Sequence, residues 1–262
     1  MIIKELIQII EQQAPLSLQE SYDNSGLIVG QQNDEISGVL LCVDISEDII
    51  DEAIEKNCNL IISHHPIIFH PIKKLTGENI TQRTVISAIK NNIALYSSHT
   101  PLDKIPDGLS HALAKALNIS EREILSDKDS LREDCGFGII GSLNKPKTLN
   151  EILQLIKTQF ELKVIRYSKD NGEKISKIAI CTGSGASLIS RAKKCGAHLY
   201  ISADFKYNDF IDADKDLIIA DIGHFESEYC AINVLYDIIT KKITTFAIHK
   251  SEQCSNPVNY FV

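Results

Sequence analysis

Three short apolar runs, residues 39–43, 60–62 and 93–96, each stop abruptly at polar residues, and each gives way to a stretch of helical spacing. Runs this short, rich in β-branched residues, read as buried strands. Strands alternating with helices build a mostly parallel sheet with helices covering it. In such sheets ligands bind beyond the carboxyl ends of the strands. Asp44, His64, His65, His99 and Asp103 all follow strand ends, so topology alone predicts that they gather along one edge.

The middle run is the most demanding. Leu60-Ile-Ile-Ser63 leads straight into His64, His65 and Pro66. Successive strand residues point to opposite faces, so two adjacent imidazoles serve one site only if the chain leaves the strand there. Pro66 makes it leave, because it cannot continue a ladder and biases His65 toward an extended conformation. Taken alone, the stretch supports a hydrogen-bonded histidine pair and a metal site equally.

Around this centre the expected elements are a helix over 2–13 ended by Pro15, a helix over 47–57 capped by Ser46, and helices over 83–91 and 109–117. Between residues 21 and 30 lies a polar turn in which Asp23 and Asn24 read as ordinary turn residues. Residues 121–133 are charged and weakly patterned, and read as the crossing into a second domain. There the strands expected are 135–140, 162–167, 176–181, 199–201 and 217–220, with a helix over 150–160, and a last strand over 243–248 finishes the chain. Asn171-Gly172 would join the second and third of these. The small-residue loop Thr182-Gly-Ser-Gly-Ala186 lacks the lysine and spacing of a P-loop, so tight strand–helix packing is its expected use. The fold class is therefore α/β: two α/β domains with mixed, mostly parallel sheets covered by helices.

His224 and Glu228 lie four apart at the start of an expected helix, directly after a strand, and so share a face. Together with His64, His65 and Asp103 they offer three imidazoles and two carboxylates, more than one tetrahedral zinc uses. That number suits two ions sharing a bridging carboxylate. Oxygen and nitrogen donors admit zinc, manganese or iron. His99, four residues before Asp103, is a candidate catalytic residue as a proton carrier beside the ligands. Structural roles are expected for His111, His198 and His249, and His70 is undecided. Seven cysteines are scattered and never spaced CxxC, which points to a reduced, cytoplasmic protein without a thiolate zinc site. A net charge of −8 with no basic block argues against duplex nucleic acid as a partner. No apolar run is long enough to suggest a membrane partner, and the first residues lack the pattern of a secretory signal.

The ordered motifs SYDNSGLIVG, SHHPIIF, SHTPLD and GHFESE, with the closing NPVNY, resemble those of the GTP cyclohydrolase I type 2 homologs, a family of toroidal hexamers with a dinuclear metal centre. The resemblance runs nearly end to end. Tyr22 stands where Trp is usual, Pro101 where Asn is common, and Ala203 and Asn208 replace a Gly and a His of the family pattern. The family's metal ligands fall on His64, His65, Asp103, His224 and Glu228, the set that spacing reaches independently. The resemblance implies two divalent metal ions, zinc first, and a homohexamer. It implies a discontinuous metal-binding domain over 1–124 plus 222–262, with a second domain over 125–221. The activity it implies is hydrolysis of GTP to dihydroneopterin triphosphate and formate. Two other readings stay open: a dimetal hydrolase acting on another substrate such as a phosphoester, and a metal-binding interaction protein without catalysis.

Overall fold

A computed structural model describes residues 1–213, 215–243 and 245–261. The chain opens with α1 (Ile3–Glu11), whose Ile3, Leu6 and Ile10 recur at helical spacing and are fully buried. Strands β1 (Gly26–Val29) and β2 (Gly38–Cys42) follow. Ser46 caps α2 (Glu47–Glu55) by accepting from the Ile49 N–H. Strand β3 (Leu60–Ser63) precedes α3 (Ile80–Lys90), which Asn79 caps in the same way through the Gln82 N–H. Next come β4 (Ala94–Ser97), the short α4 (Thr100–Lys104), α5 (Leu109–Ala116), β5 (Ile119–Ile124) and β6 (Ile139–Lys147). A Thr148–Glu151 capping box starts α6 (Leu149–Gln159). The remainder is β7 (Arg166–Tyr167), β8 (Ile175–Ser184), α7 (Ile189–Lys194), β9 (Leu199–Ala203), α8 (Tyr207–Asp212), β10 (Ile218–Asp221), α9 (His224–Glu228), α10 (Ala231–Thr240) and β11 (Ala247–Lys250).

The chain divides into two compact units. Unit one comprises residues 1–102 and 231–255. Its five-stranded sheet has the order β1-β4-β3-β2-β11, parallel except for β1. Every residue of β2, β3 and β4 is buried, which is why these strands appear in sequence as unbroken apolar runs rather than alternating ones. Leu40, Ile50, Ile61 and Leu95 belong to one core cluster, where trimming an Ile or Leu to Ala costs about 2–5 kcal/mol.

Unit two comprises residues 103–230 and the tail from Asn256. Its six-stranded sheet runs β5-β6-β8-β9-β10-β7: a parallel centre of β8, β9 and β10 with antiparallel strands on either side. Segments 103–124 and 222–230 pack here, where the sequence reading places the crossings at 124/125 and 221/222. The reason is local: α5 and α9 both pack on β8, and β5 pairs with β6.

Several strands differ from expectation. Residues 119–124 form an edge strand whose Glu121, Arg122 and Glu123 are exposed, so its sequence resembles a charged linker. The strand expected at 135 begins at Ile139, after a turn containing Gly136 and Gly138. Only Arg166 and Tyr167 of 162–167 are extended, and Asn171-Gly172 joins no hairpin, since β7 pairs with β10 while β8 pairs with β6 and β9. Thr182 to Ser184 continue β8 instead of forming a loop. Of the strand expected over 243–248, Thr244 lies outside the described residues, and pairing occupies Ala247–Lys250.

Candidate metal centre

In unit one the parallel ladder runs one residue beyond β3. The His64 and His65 N–H groups donate to the Cys42 and Val43 carbonyls at 3.2 and 2.9 Å. There the chain leaves the strand, and the hydroxyls of Ser63 and Ser97 fix the His65 carbonyl by donating to it at 2.6 and 3.1 Å. One nitrogen from each of His64, His65 and His99 lies within 4.8 Å of the others, so these three imidazoles form one cluster that could hold a metal ion. All three rings are held through Nδ1: His64 to the Ser98 carbonyl at 3.0 Å, His65 to Asp44 at 2.8 Å, and His99 to Asp23 at 2.8 Å. A carbonyl only accepts, so Nδ1 of His64 carries the hydrogen and Nε2 the lone pair. This is how metal-ligating histidines are oriented: a second group takes the other ring nitrogen and fixes the tautomer.

In unit two Gly223 starts α9 at φ +89°, and a Cβ there would meet a Glu226 carboxylate oxygen at 2.1 Å. His224 and Glu228 share a face of this one-turn helix, with Nε2 and a carboxylate oxygen 3.0 Å apart. The other ring nitrogen, Nδ1, lies 2.6 Å from Asp204. Burial lowers the basicity of His224, but the hydrogen bond and charge of Glu228, then those of Asp204, outweigh it and raise the imidazole to about 9. Gly183, at φ +63°, makes room for Glu228: a Cβ there would come within 2.1 Å of the carboxylate. Its N–H donates to Ser227 Oγ at 2.9 Å, and that hydroxyl donates to the His224 carbonyl at 2.8 Å, tying β8 to the helix. Asp103 and Glu228 act on the same two thiols. Cys181 and Cys230 are pushed up to about 12, by burial first and then by these carboxylates. Among the described residues no cysteine joins a group of side chains that could hold a metal ion, which leaves nitrogen and oxygen as the donors offered here.

His64, His65 and His99 come together in unit one, while Asp103, His224 and Glu228 all belong to unit two, where His224 and Glu228 adjoin. Asp23 is the residue that sequence reasoning missed. Its side chain is fully buried and accepts from His99 Nδ1, Thr100 N–H and hydroxyl, Ser25 hydroxyl and Asn24 N–H. Burial raises its carboxyl, but the hydrogen bonds from His99, Thr100 and Ser25 prevail and hold it well below the usual carboxylate range. The Ser25 and Thr100 hydroxyls are the signal that distinguishes it from a solvated turn residue. Asp44 and Asp204 likewise serve as acceptors for histidines. Asp221, also at a strand end, is occupied structurally by Arg166 and by the Phe205 and Gly223 N–H groups. His198 accepts from the Ser176 N–H at 3.1 Å, a structural role.

A Clostridium perfringens protein named GTP cyclohydrolase 1 type 2 homolog is 40% identical over 228 residues, covering 87% of each chain. A Clostridium acetobutylicum protein of the same name is 36% identical over 249 residues, covering 95% of this chain and 91% of its own. The crystal structure of Staphylococcus aureus protein SA1388 matches with a TM-score of 0.92 at 25% identity, covering 100% of this chain and 99% of that one. Residues 1–257 match the family Duf34/NIF3 (NGG1p interacting factor 3), and the chain belongs to it.

Proposed function

We propose that this protein is a metal-dependent hydrolase of the GTP cyclohydrolase I type. In this reading His64, His65, Asp103, His224 and Glu228 hold two divalent metal ions, and His99 is the catalytic residue that orients water and carries a proton. The observation supporting it is the way the imidazoles are held. His64, His65 and His99 each have Nδ1 engaged by a carbonyl or carboxylate, the arrangement that presents Nε2 as a donor, and Asp204 orients the His224 ring in the same way. The donor set is nitrogen and oxygen, which fits zinc first and also iron or manganese. Bound ions supply Lewis-acid polarisation and a nucleophile usable at neutral pH. The chain's own work is positional. Asp23 holds the His99 ring in one orientation, and the Ser63 and Ser97 hydroxyls fix the peptide between the imidazoles and the strand. The names of the relatives favour GTP as substrate, with dihydroneopterin triphosphate and formate as products. A cytoplasmic homohexamer is the state that accompanies this reading.

The family description, an interacting factor, favours a second reading in which the same ions are structural and the protein acts by binding another protein. A dimetal hydrolase acting on a phosphoester is the third. One preparation separates them: purify without chelator, measure metal content, and screen nucleotides for a fluorescent pterin product. Pterin formation from GTP supports the first reading. Release of phosphate without pterin supports the phosphoesterase. Full metal content with no turnover on any nucleotide supports the interaction protein.

A further inference from the structure

Helix α9 carries His224 and Glu228 on a single turn of five residues. So short a helix has no stability of its own, because nucleating a turn fixes more dihedrals than its first hydrogen bonds offset. Its order must come from what it touches. On one side the Ser227 hydroxyl joins it to β8. Glu226 serves the other side. It lies about 200° around the helix from both His224 and Glu228, and so leaves the face those two share. The donors to its carboxylate come from the closing segment of the chain, which belongs to the same unit. The Asn256 amide nitrogen donates to Glu226 Oε1 at 2.8 Å, and the Tyr260 hydroxyl donates to the same oxygen at 3.3 Å. Asn256 is set for this by its own turn. Its amide oxygen accepts from the Val258 N–H at 2.8 Å, which commits the amide nitrogen to Glu226. Ser255, Pro257, Val258, Asn259 and Phe261 are exposed, whereas Asn256 and Tyr260 are half-buried, so the segment meets the protein through the two side chains that reach Glu226.

We propose that Asn256 and Tyr260 are positioning residues: the closing segment is a strap that grips α9 by Glu226 and thereby holds His224 and Glu228 in place. Glu226 is the handle, on the opposite side of the helix from the pair it steadies. The consequence for metal rests on the ligand set proposed above; the grip on α9 does not.

The test compares variants of the full chain in two readouts. The first needs no metal: hydrogen exchange of the Ser227 and Tyr229 amides, whose N–H groups donate to the Gly223 and Phe225 carbonyls. The second is titration of the metal-stripped chain with cobalt(II), followed by visible absorption. Asn256→Asp keeps the acceptor for Val258 but sets a carboxylate against Glu226. It should speed exchange of both amides at least about tenfold and weaken cobalt binding about tenfold, with the circular dichroism spectrum kept. Tyr260→Phe should move both readouts the same way by less, since it removes only the longer bond. Asn256→Asp/Glu226→Gln faces the new carboxylate with an amide, and both readouts should return to those of Glu226→Gln alone. A segment that only adds stability would lower the urea midpoint and leave cobalt binding by the folded chain unchanged. Unchanged exchange in Asn256→Asp, or a double variant no better than the single one, overturns the strap. So does unchanged cobalt binding in Asn256→Asp when Glu228→Gln loses it. If Glu228→Gln binds cobalt as the unaltered protein does, the ligand set fails instead, and the exchange result alone decides the strap.

Discussion

The histidines of unit one stand at the ends of adjacent parallel strands: a strand-end carbonyl holds His64, an aspartate whose side chain is 0% exposed holds His99, and only His65 leans on an exposed partner, Asp44 at 53%. In unit two, His224 leans on Asp204, which is 51% exposed, and Glu228 occupies space that exists because residue 183 has no side chain. The first arrangement is fixed by donors and acceptors supplied by the sheet. The second is fixed by room, with two positive-φ glycines shaping a single turn of helix. A hydrogen bond in low dielectric is electrostatically stronger and less screened than one at the surface. In the first cluster His64 and His99 should therefore tolerate salt and fail when a hydrogen-bonding partner is removed. The second should fail when volume is added.

Removing a ligand should have the largest effect, and it tests whether both clusters hold metal. Elemental analysis of unaltered protein made without chelator should give about two ions per chain. Asp103→Asn and Glu228→Gln should each lower metal content and abolish turnover while the circular dichroism spectrum is kept. A variant that keeps both ions and normal turnover removes that residue from the ligand set.

The His99–Asp23 pair comes next. His99→Ala should cut turnover by about 10²–10⁴-fold at constant metal content, the usual contribution of a positioned acid–base group. Asp23→Asn should cut it by about 10–100-fold, the scale on which partners of this kind act. Loss of metal from His99→Ala would instead make His99 a ligand. Equal turnover in Asp23→Asn and the unaltered protein would show that the buried hydrogen bond does not orient the ring.

Added volume separates the clusters. Gly183→Ala forces a side chain into a positive-φ residue and against Glu228. It should cost about 1–3 kcal/mol of stability from strain alone and should lower metal content. Metal binding unchanged by this substitution would mean that Glu228 can move aside, and the contrast between the two regions would disappear.

The sheet of unit one was legible because β2, β3 and β4 are buried throughout and therefore apolar throughout. Unit two was harder, because its outer strands β5 and β7 are exposed and read as charged or irregular chain. The residues that could hold metal were visible because His-His-Pro after an apolar run and His/Glu at four-residue spacing are local patterns. Asp23 was not, since its role depends on His99 and Thr100, residues 76 and 77 positions away. Gly183 read as a packing glycine, and the carboxylate it accommodates lies on another element.

The smallest expected effect concerns how each unit retains its C-terminal segment, and it compares a buried anchor with a less buried one. In unit one Glu52 is 4% exposed and accepts from the Ser251 hydroxyl and from the Glu252 and Gln253 N–H groups just after β11. In unit two Glu226 accepts from the Asn256 amide at 2.8 Å and the Tyr260 hydroxyl at 3.3 Å. Burial raises the Glu52 carboxyl, but those N–H and hydroxyl donors and then Lys56 outweigh it and lower its pKa. A carboxylate with a lowered native pKa adds stability that is fully present above its unfolded value, about 4.3, and is lost as pH falls through the native value. Glu52→Gln should therefore cost about 1–3 kcal/mol at pH 7, and the deficit should shrink as the pH drops below about 4.3. Glu226→Gln keeps an amide oxygen for two side-chain donors and should cost less, about 0.5–1.5 kcal/mol. Urea unfolding of both variants at pH 7 and in acid checks the order. A Glu52→Gln deficit that does not change with pH would show that its carboxylate charge is not what holds the returning strand.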